Sequence, residues 1–152
     1  MTRRYHDNGR TALYAGSFNP FTKGHLSILR RGLELFDRVV VMIGVNAGKP
    51  AVGVDAAGLA ERLAALGLEN VEVMEWSGLT VDAAREVGAR WLLRGVRSVA
   101  DYEYERNLAD INRKISGIDT VILFAEPSLS MISSSMVREL SHYGHDVSEF
   151  VI

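Results

Sequence analysis

"YAGSFNPFTKGHL", Tyr14 to Leu26, sets two glycines, a serine, a proline, a lysine and a histidine between a short apolar run and an amphipathic one. The apolar run, Ala12–Ala15, reads as a buried strand. Beyond the turn, Leu26, Leu29, Leu33 and Phe36 recur at the spacing of one helix face. A glycine-bearing turn that carries a strand into a helix is a building unit of parallel sheets. The same alternation recurs along the chain. Strands are predicted at Val39–Val45, Val71–Trp76, Trp91–Arg94 and Thr120–Ala125. Helical stripes follow Leu59, Leu63 and Leu66, and again Tyr104, Leu108, Ile111 and Ile115. Shorter helices are predicted at Val81–Val87 and Ser134–Tyr143, stopped by Gly88 and Gly144.

Strand–helix units in succession imply an α/β fold: a Rossmann-like, doubly wound, five-stranded parallel sheet of order 3-2-1-4-5 with right-handed crossovers. Ligands of such sheets sit beyond the carboxyl ends of the strands, where the strand order reverses. The chain of 152 residues suits one domain, residues 11–152, preceded by a flexible polar tail, residues 1–10. Its 17 Lys+Arg against 19 Asp+Glu give a net charge of −2, which supports neither a nucleic-acid nor a membrane partner. There is no cysteine, so disulfides, thiolate metal sites and thiol nucleophiles are excluded. The longest aliphatic run is far shorter than the ~20 residues of a membrane helix, and the polar start lacks a signal peptide's apolar centre. A cytoplasmic location is expected.

Four motifs fall just after predicted strands. In the first, Gly16, Ser17 and Phe18 follow the first strand, and His25 arrives where a helix begins. A helix N-terminus presents free N–H groups and a partial positive charge that suit an anion. His25 can add a hydrogen bond to a phosphoryl oxygen, or serve only as a capping side chain. The second, "GVNAGKP" (Gly44–Pro50), fails as a Walker A loop because only three residues separate its glycines and Pro50 replaces the Ser or Thr. It leaves Lys49 on the ligand side of the sheet. The third, "RGVRSVADYEYE" (Arg94–Glu105), offers Arg94 and Arg97, suited to phosphate through a bidentate fork or to salt bridges with Asp101, Glu103 or Glu105. The fourth, "ISSSMVREL" (Ile132–Leu140), opens a helix on serines, as a cap or as a phosphate cradle, with Arg138 one turn in. In the order 3-2-1-4-5 the first and fourth strands are neighbours, so these groups face one crevice. A set rich in phosphate donors, with no metal-ligand cluster, favours nucleotide chemistry over hydrolysis.

These residues also carry a resemblance. "GSFNPFTKGHL" resembles the Thr-x-Gly-His motif of the nucleotidyltransferase superfamily, and "ISSSMVRE" its serine-rich second signature. "RGVRSVADYEYE" followed by "ADINRKI" is similar to the phosphopantetheine adenylyltransferase family, and the likeness runs from about Thr11 to Val151. The resemblance implies transfer of the adenylyl group of ATP to 4′-phosphopantetheine, giving dephospho-coenzyme A and pyrophosphate, with Mg²⁺ accompanying ATP, assembly as a homohexamer and coenzyme A as a possible inhibitor. It implies catalytic roles for His25, Lys49 and Arg97. It places ATP against Ser17, Phe18, His25, Gly95, Val96, Arg97, Glu105, Leu129, Ser130, Met131, Ile132, Ser133, Ser134 and Ser135, and the acceptor against Ser17, Lys49, Thr80 and Arg94. The chain departs from the family pattern after Lys49, where "PAVGVDAAGLAERLAAL" is small and Gly-rich, with Ala57 in place of an expected Arg. Another nucleotidyltransferase, such as a nicotinate mononucleotide adenylyltransferase, and a non-catalytic nucleotide-binding module stay open as alternatives. A dinucleotide oxidoreductase does not, since the first turn lacks G-x-G-x-x-G.

Overall fold

The computed structural model describes residues 9–45 and 55–152. Five strands, β1 (Thr11–Gly16), β2 (Arg38–Gly44), β3 (Val71–Trp76), β4 (Trp91–Val96) and β5 (Asp119–Phe124), alternate with helices α1 (Lys23–Leu35), α2 (Ala56–Ala65), α3 (Thr80–Glu86), α4 (Val99–Ser116) and α5 (Ser134–His142). All strand pairs are parallel and the order is β3-β2-β1-β4-β5, as the sequence predicts. Most of β1 and β2 is buried, which is why they read as continuous apolar runs rather than as alternation. Side chains alternate across the sheet, so Tyr14, Val39, Val41 and Leu93 join Leu26, Leu29, Leu59 and Leu63 of α1 and α2 in one core layer. Leu13, Val40 and Leu92 join Val81, Ala83 and Ala84 of α3 in the other.

The predicted strands differ from these at their ends, and one difference matters. β4 continues two residues past Arg94, because Gly95 pairs with Leu123 and Val96 with Phe124. Arg94 and Gly95 therefore lie within the sheet, and only Arg97 follows it. Gly95 is required by packing: a Cβ there would stand 2.9 Å from Ile28 of α1. At Gly32 a Cβ would stand 2.5 Å from the buried Leu93. These two glycines let α1 lie close on β4, which brings its N-terminus to the junction of β1 and β4.

In α4 the predicted stripe forms a helix, but most of it faces outward: Tyr104, Ile111 and Ile115 are exposed and only Leu108 is half-buried, whereas Glu105 and Asn112 are buried. Apolar periodicity locates a helix without saying which face the sheet takes, and here a polar face turns inward, towards a cavity described below. α2 forms despite the unusual residues before it, since the Asp55 side chain caps the Gly58 N–H at 2.8 Å. A Cβ on Gly58 would collide with that carboxylate, so the small residue belongs to the cap. Arg10, at the end of the expected tail, is tied through its backbone to Asp37 and Arg38, and the rest of that tail up to residue 8 lies outside the described residues. Lys49 lies outside them too.

Candidate active site

The carboxyl ends of β1 and β4 open into a cleft of about 280 Å³. α1 points its first turn at it. Thr22 is the N-cap, and its backbone N–H donates to His25 Nδ1 at 2.9 Å while its hydroxyl accepts from the His25 N–H. A backbone N–H is only a donor, so Nδ1 is the bare nitrogen and a neutral His25 carries its hydrogen on Nε2. The ring is clamped by Phe18 and Phe21, with centroids at 5.0 and 5.3 Å. Burial, with Arg94 and Arg97 adding to it, lowers the His25 pKa to about 4. The imidazole is thus a neutral donor at neutral pH.

The remaining donors of that turn are mostly spent: Lys23 N–H goes to Phe150 O and Leu26 N–H to Thr22 O, leaving the Gly24 N–H without a partner among the described residues. A Cβ on Gly24 would meet only ordinary contacts, at 3.4 Å and beyond, so the fold itself does not demand glycine there. Gly16 is different. Its Cβ would stand 3.0 Å from the Phe18 ring, and Phe18 takes a left-handed φ of 45° to put the ring there.

Across the cleft, Arg94 springs from the Leu92 face of β4. It donates through Nε at 2.8 Å and Nη2 at 2.5 Å to the two Glu105 oxygens, and through Nη1 to the Ala15 carbonyl. Burial alone would lower the Arg94 pKa, but the hydrogen bond and charge of Glu105 outweigh it and raise it. Arg97 pairs with Asp101 at 3.3 Å on the surface. α5 uses its serines internally: Ser133 caps Met136, Ser134 donates to Pro20 O, and Ser135 accepts from Arg138, which also donates to Asn19 O. Only Ser134 spends its hydroxyl hydrogen; Ser133 and Ser135 accept in these bonds and keep theirs to donate.

The chain matches the family described as Cytidylyltransferase-like over residues 13–140. It is 49% identical over 142 residues to a phosphopantetheine adenylyltransferase of Porphyromonas gingivalis, covering 92% of each chain. It is 42% identical over 144 residues to that of Bacteroides thetaiotaomicron, covering 93% of this chain and 95% of the other. The chain belongs to the phosphopantetheine adenylyltransferase family. Among solved structures, a bifunctional NMN adenylyltransferase/ADP ribose pyrophosphatase from Francisella tularensis complexed with AMP and Mn ion superposes with a TM-score of 0.68. The match is 13% identical and covers 94% of this chain and 44% of that one, a likeness of fold alone.

Most residues that the family resemblance implies meet in this cleft: Ser17, Phe18, His25, Arg94, Gly95, Val96, Arg97, Leu129, Ile132 and Ser133–Ser135 all line it. Four do not. Ser130 turns its hydroxyl back to Pro127 O, and Met131 is exposed. Glu105 and Thr80 line instead a smaller cavity of about 20 Å³ beneath α4, shared with Arg94, Asn112 and Thr120. Ala15 and Arg94 border both spaces. Tyr14, Thr22, Ile28 and Ala125 line the cleft without having been singled out from the sequence. Thr22 alone had a signal, as the first residue of the Thr-x-Gly-His motif. The Tyr14 hydroxyl is held neutral, its pKa raised by burial and Glu105 against the opposing pull of Arg94.

Among the described residues no carboxylate lines the cleft, and no group of three acidic or histidine side chains is placed to hold a metal. The side chains present do not fit a protein-held Mg²⁺; they fit the oxygens of a phosphate. No helix among the described residues is long and apolar enough to cross a membrane. A larger cavity of about 580 Å³ lies on the far side of the Phe18–Phe21 loop, against α2 and α5, away from the ends of β1 and β4.

The His25 environment has a consequence for stability. Its pKa is depressed from 6.5 to about 4, so folding favours the neutral ring. That contribution is present in full above about pH 6.5 and is lost as the pH falls towards 4, by roughly 2–3 kcal/mol at about pH 4.5. Urea unfolding at pH 7 and pH 4.5 should show a larger acid loss in the wild type than in His25→Gln. Gln at this third helical position retains the capping interaction with Thr22 and does not titrate.

Proposed function

We propose that the protein transfers the adenylyl group of ATP to 4′-phosphopantetheine, forming dephospho-coenzyme A and pyrophosphate. The identity of 42–49% with phosphopantetheine adenylyltransferases across nearly the whole chain carries this reading. The cleft makes chemical sense of it. A phosphate monoester has its second pKa near ~6, so at neutral pH it is already a dianionic nucleophile and needs no general base. One of its oxygens forms the new bond to the α-phosphorus of ATP while the bond from that phosphorus to the bridging oxygen breaks in line. The electron pair leaves on pyrophosphate, and no proton passes through the protein.

Catalysis then consists of positioning and charge stabilisation. His25 Nε2–H and the Gly24 N–H face the α-phosphoryl group, Arg97 and the first turn of α5 hold the phosphate chain, and Lys49 adds a cation. Mg²⁺ enters with ATP as part of the substrate. Arg94 takes the phosphate end of the acceptor, with Ser17 and Thr80 completing its site. The reading extends to a homohexamer, with coenzyme A as inhibitor. In support of self-association, α4 exposes Val99, Tyr104, Ile111 and Ile115.

Incubation with ATP, Mg²⁺ and 4′-phosphopantetheine should release pyrophosphate and dephospho-coenzyme A. Folded protein that releases none would overturn the assignment. Nicotinate mononucleotide as the competing acceptor in the same assay should remain unreacted.

A further inference from the structure

The Arg94–Glu105 pair joins the two cavities, and Glu105 sits on the side away from the nucleotide cleft. The family resemblance sets Glu105 against ATP; here its carboxylate is held by Arg94 and lines the smaller cavity. Glu105 is 6% exposed and does not line the cleft. Both of its oxygens are engaged by Arg94, at 2.8 and 2.5 Å. We infer that Glu105 is a positioning residue: it grips the Nε–Nη2 side of the Arg94 guanidinium so that the hydrogens left on Nη1 and Nη2 are preset for the phosphate monoester of the acceptor.

A guanidinium has five N–H donors in a rigid plane. Glu105 takes two and the Ala15 carbonyl a third, leaving two for a ligand. Because the fork is planar, fixing its Nε edge fixes the direction of the remaining N–H bonds. The Ala15 contact anchors it to the end of β1, next to the turn that carries His25. Nothing else among the described residues competes for these two hydrogens. The pair is also nearly neutral, so Arg94 recognises phosphate through directed hydrogen bonds more than through net charge, which fits selection of the acceptor over the more highly charged nucleotide.

The inference rests on the acceptor named above, and its test separates the two. Wild-type, Glu105→Gln and Glu105→Asp proteins are compared in three ways: KM for 4′-phosphopantetheine, ATP affinity by calorimetry without acceptor, and inhibition by unphosphorylated pantetheine. Glu105→Gln keeps the volume and loses the bidentate charged contact. It should raise the acceptor KM about tenfold or more, leave ATP affinity within about twofold, and leave inhibition by pantetheine unchanged, because pantetheine has no phosphate to misplace. Glu105→Asp keeps the charge and should recover part of the loss; it also serves as the readout should the Gln variant not fold. ATP affinity falling as far as acceptor affinity would make Glu105 a nucleotide ligand and overturn the inference. So would an unchanged acceptor KM in folded variants. Wild-type protein with no turnover of 4′-phosphopantetheine would remove the acceptor assignment and the inference together, whereas active wild-type protein with an altered ATP response removes only the inference.

Discussion

Replacing His25 with glutamine is expected to lower kcat by about 10²–10³-fold while ATP affinity changes by less than tenfold. The expectation follows from where the ring is held. Thr22 fixes Nδ1 from behind, and Phe18 and Phe21 fix the plane, so the Nε2–H has one direction to point. A donor fixed in advance stabilises charge that grows in the transition state without reorganising, and it contributes less to the ground state, where that charge is smaller. With its amide oxygen turned back to the Thr22 N–H, glutamine does not also aim an N–H along the direction of the imidazole Nε2–H. Single-turnover rates with saturating ATP, beside ATP binding measured directly, check the split. An equal loss in rate and affinity would mean that His25 serves binding alone, as in a non-catalytic nucleotide module.

Arg94→Met should destabilise the protein by roughly 3 kcal/mol and also abolish acceptor saturation in the accessible range. The stability loss comes from Glu105 more than from the missing arginine. The Glu105 side chain is 7% exposed, and without its cation the carboxylate is left buried and uncompensated. The lower end of the range for breaking a buried pair applies because the Arg94 side chain keeps 24% of its surface in water. Pairing the change with Glu105→Leu should restore much of the stability, since both partners are then apolar, yet should restore no activity. Equilibrium unfolding of the single and double variants measures the first effect, and pyrophosphate release the second. A single variant as stable as the wild type would show the pair to be solvated and energetically idle.

How much of this was legible beforehand differs from element to element. Where apolar residues run without interruption, as in Val39–Ile43, burial on both faces leaves no alternative to an inner strand, and β2 lies where expected. Gly88 and Gly144 mark helix ends because both take positive φ, a local property of backbone that composition announces. α4 is the contrary case. Its apolar stripe is real, yet Tyr104 is 64% and Ile111 58% exposed, because the sheet beneath it is occupied by Arg94 and the polar cavity that Glu105 and Asn112 line. Helical spacing reports which residues share a face and is silent on what that face meets.

The site divides along the same line. The donor types, and their placement after the first and fourth strands, were readable because strand order and chain connectivity bring those turns together whatever the side chains do. Which donors remain free was not. In sequence "ISSS" is three hydroxyls for a phosphate; in the fold Ser134 donates its hydrogen to Pro20, while Ser133 and Ser135 accept from Met136 and Arg138 and keep theirs. In sequence Glu105 stands eleven residues from Arg94 among several carboxylates; only the close approach of α4 to β4 selects it over Glu103 as the partner. The chain by itself determined the parallel sheet, its switch point and the phosphate-directed chemistry there, because these follow from periodicity, turns and residue type. The tautomer of His25 is set locally, by Thr22 in the first turn of its own helix. Tertiary structure alone decided the orientation of Arg94 and the inward face of α4, because a hydrogen bond is settled by distance and direction, and for these groups those exist only once distant segments have packed.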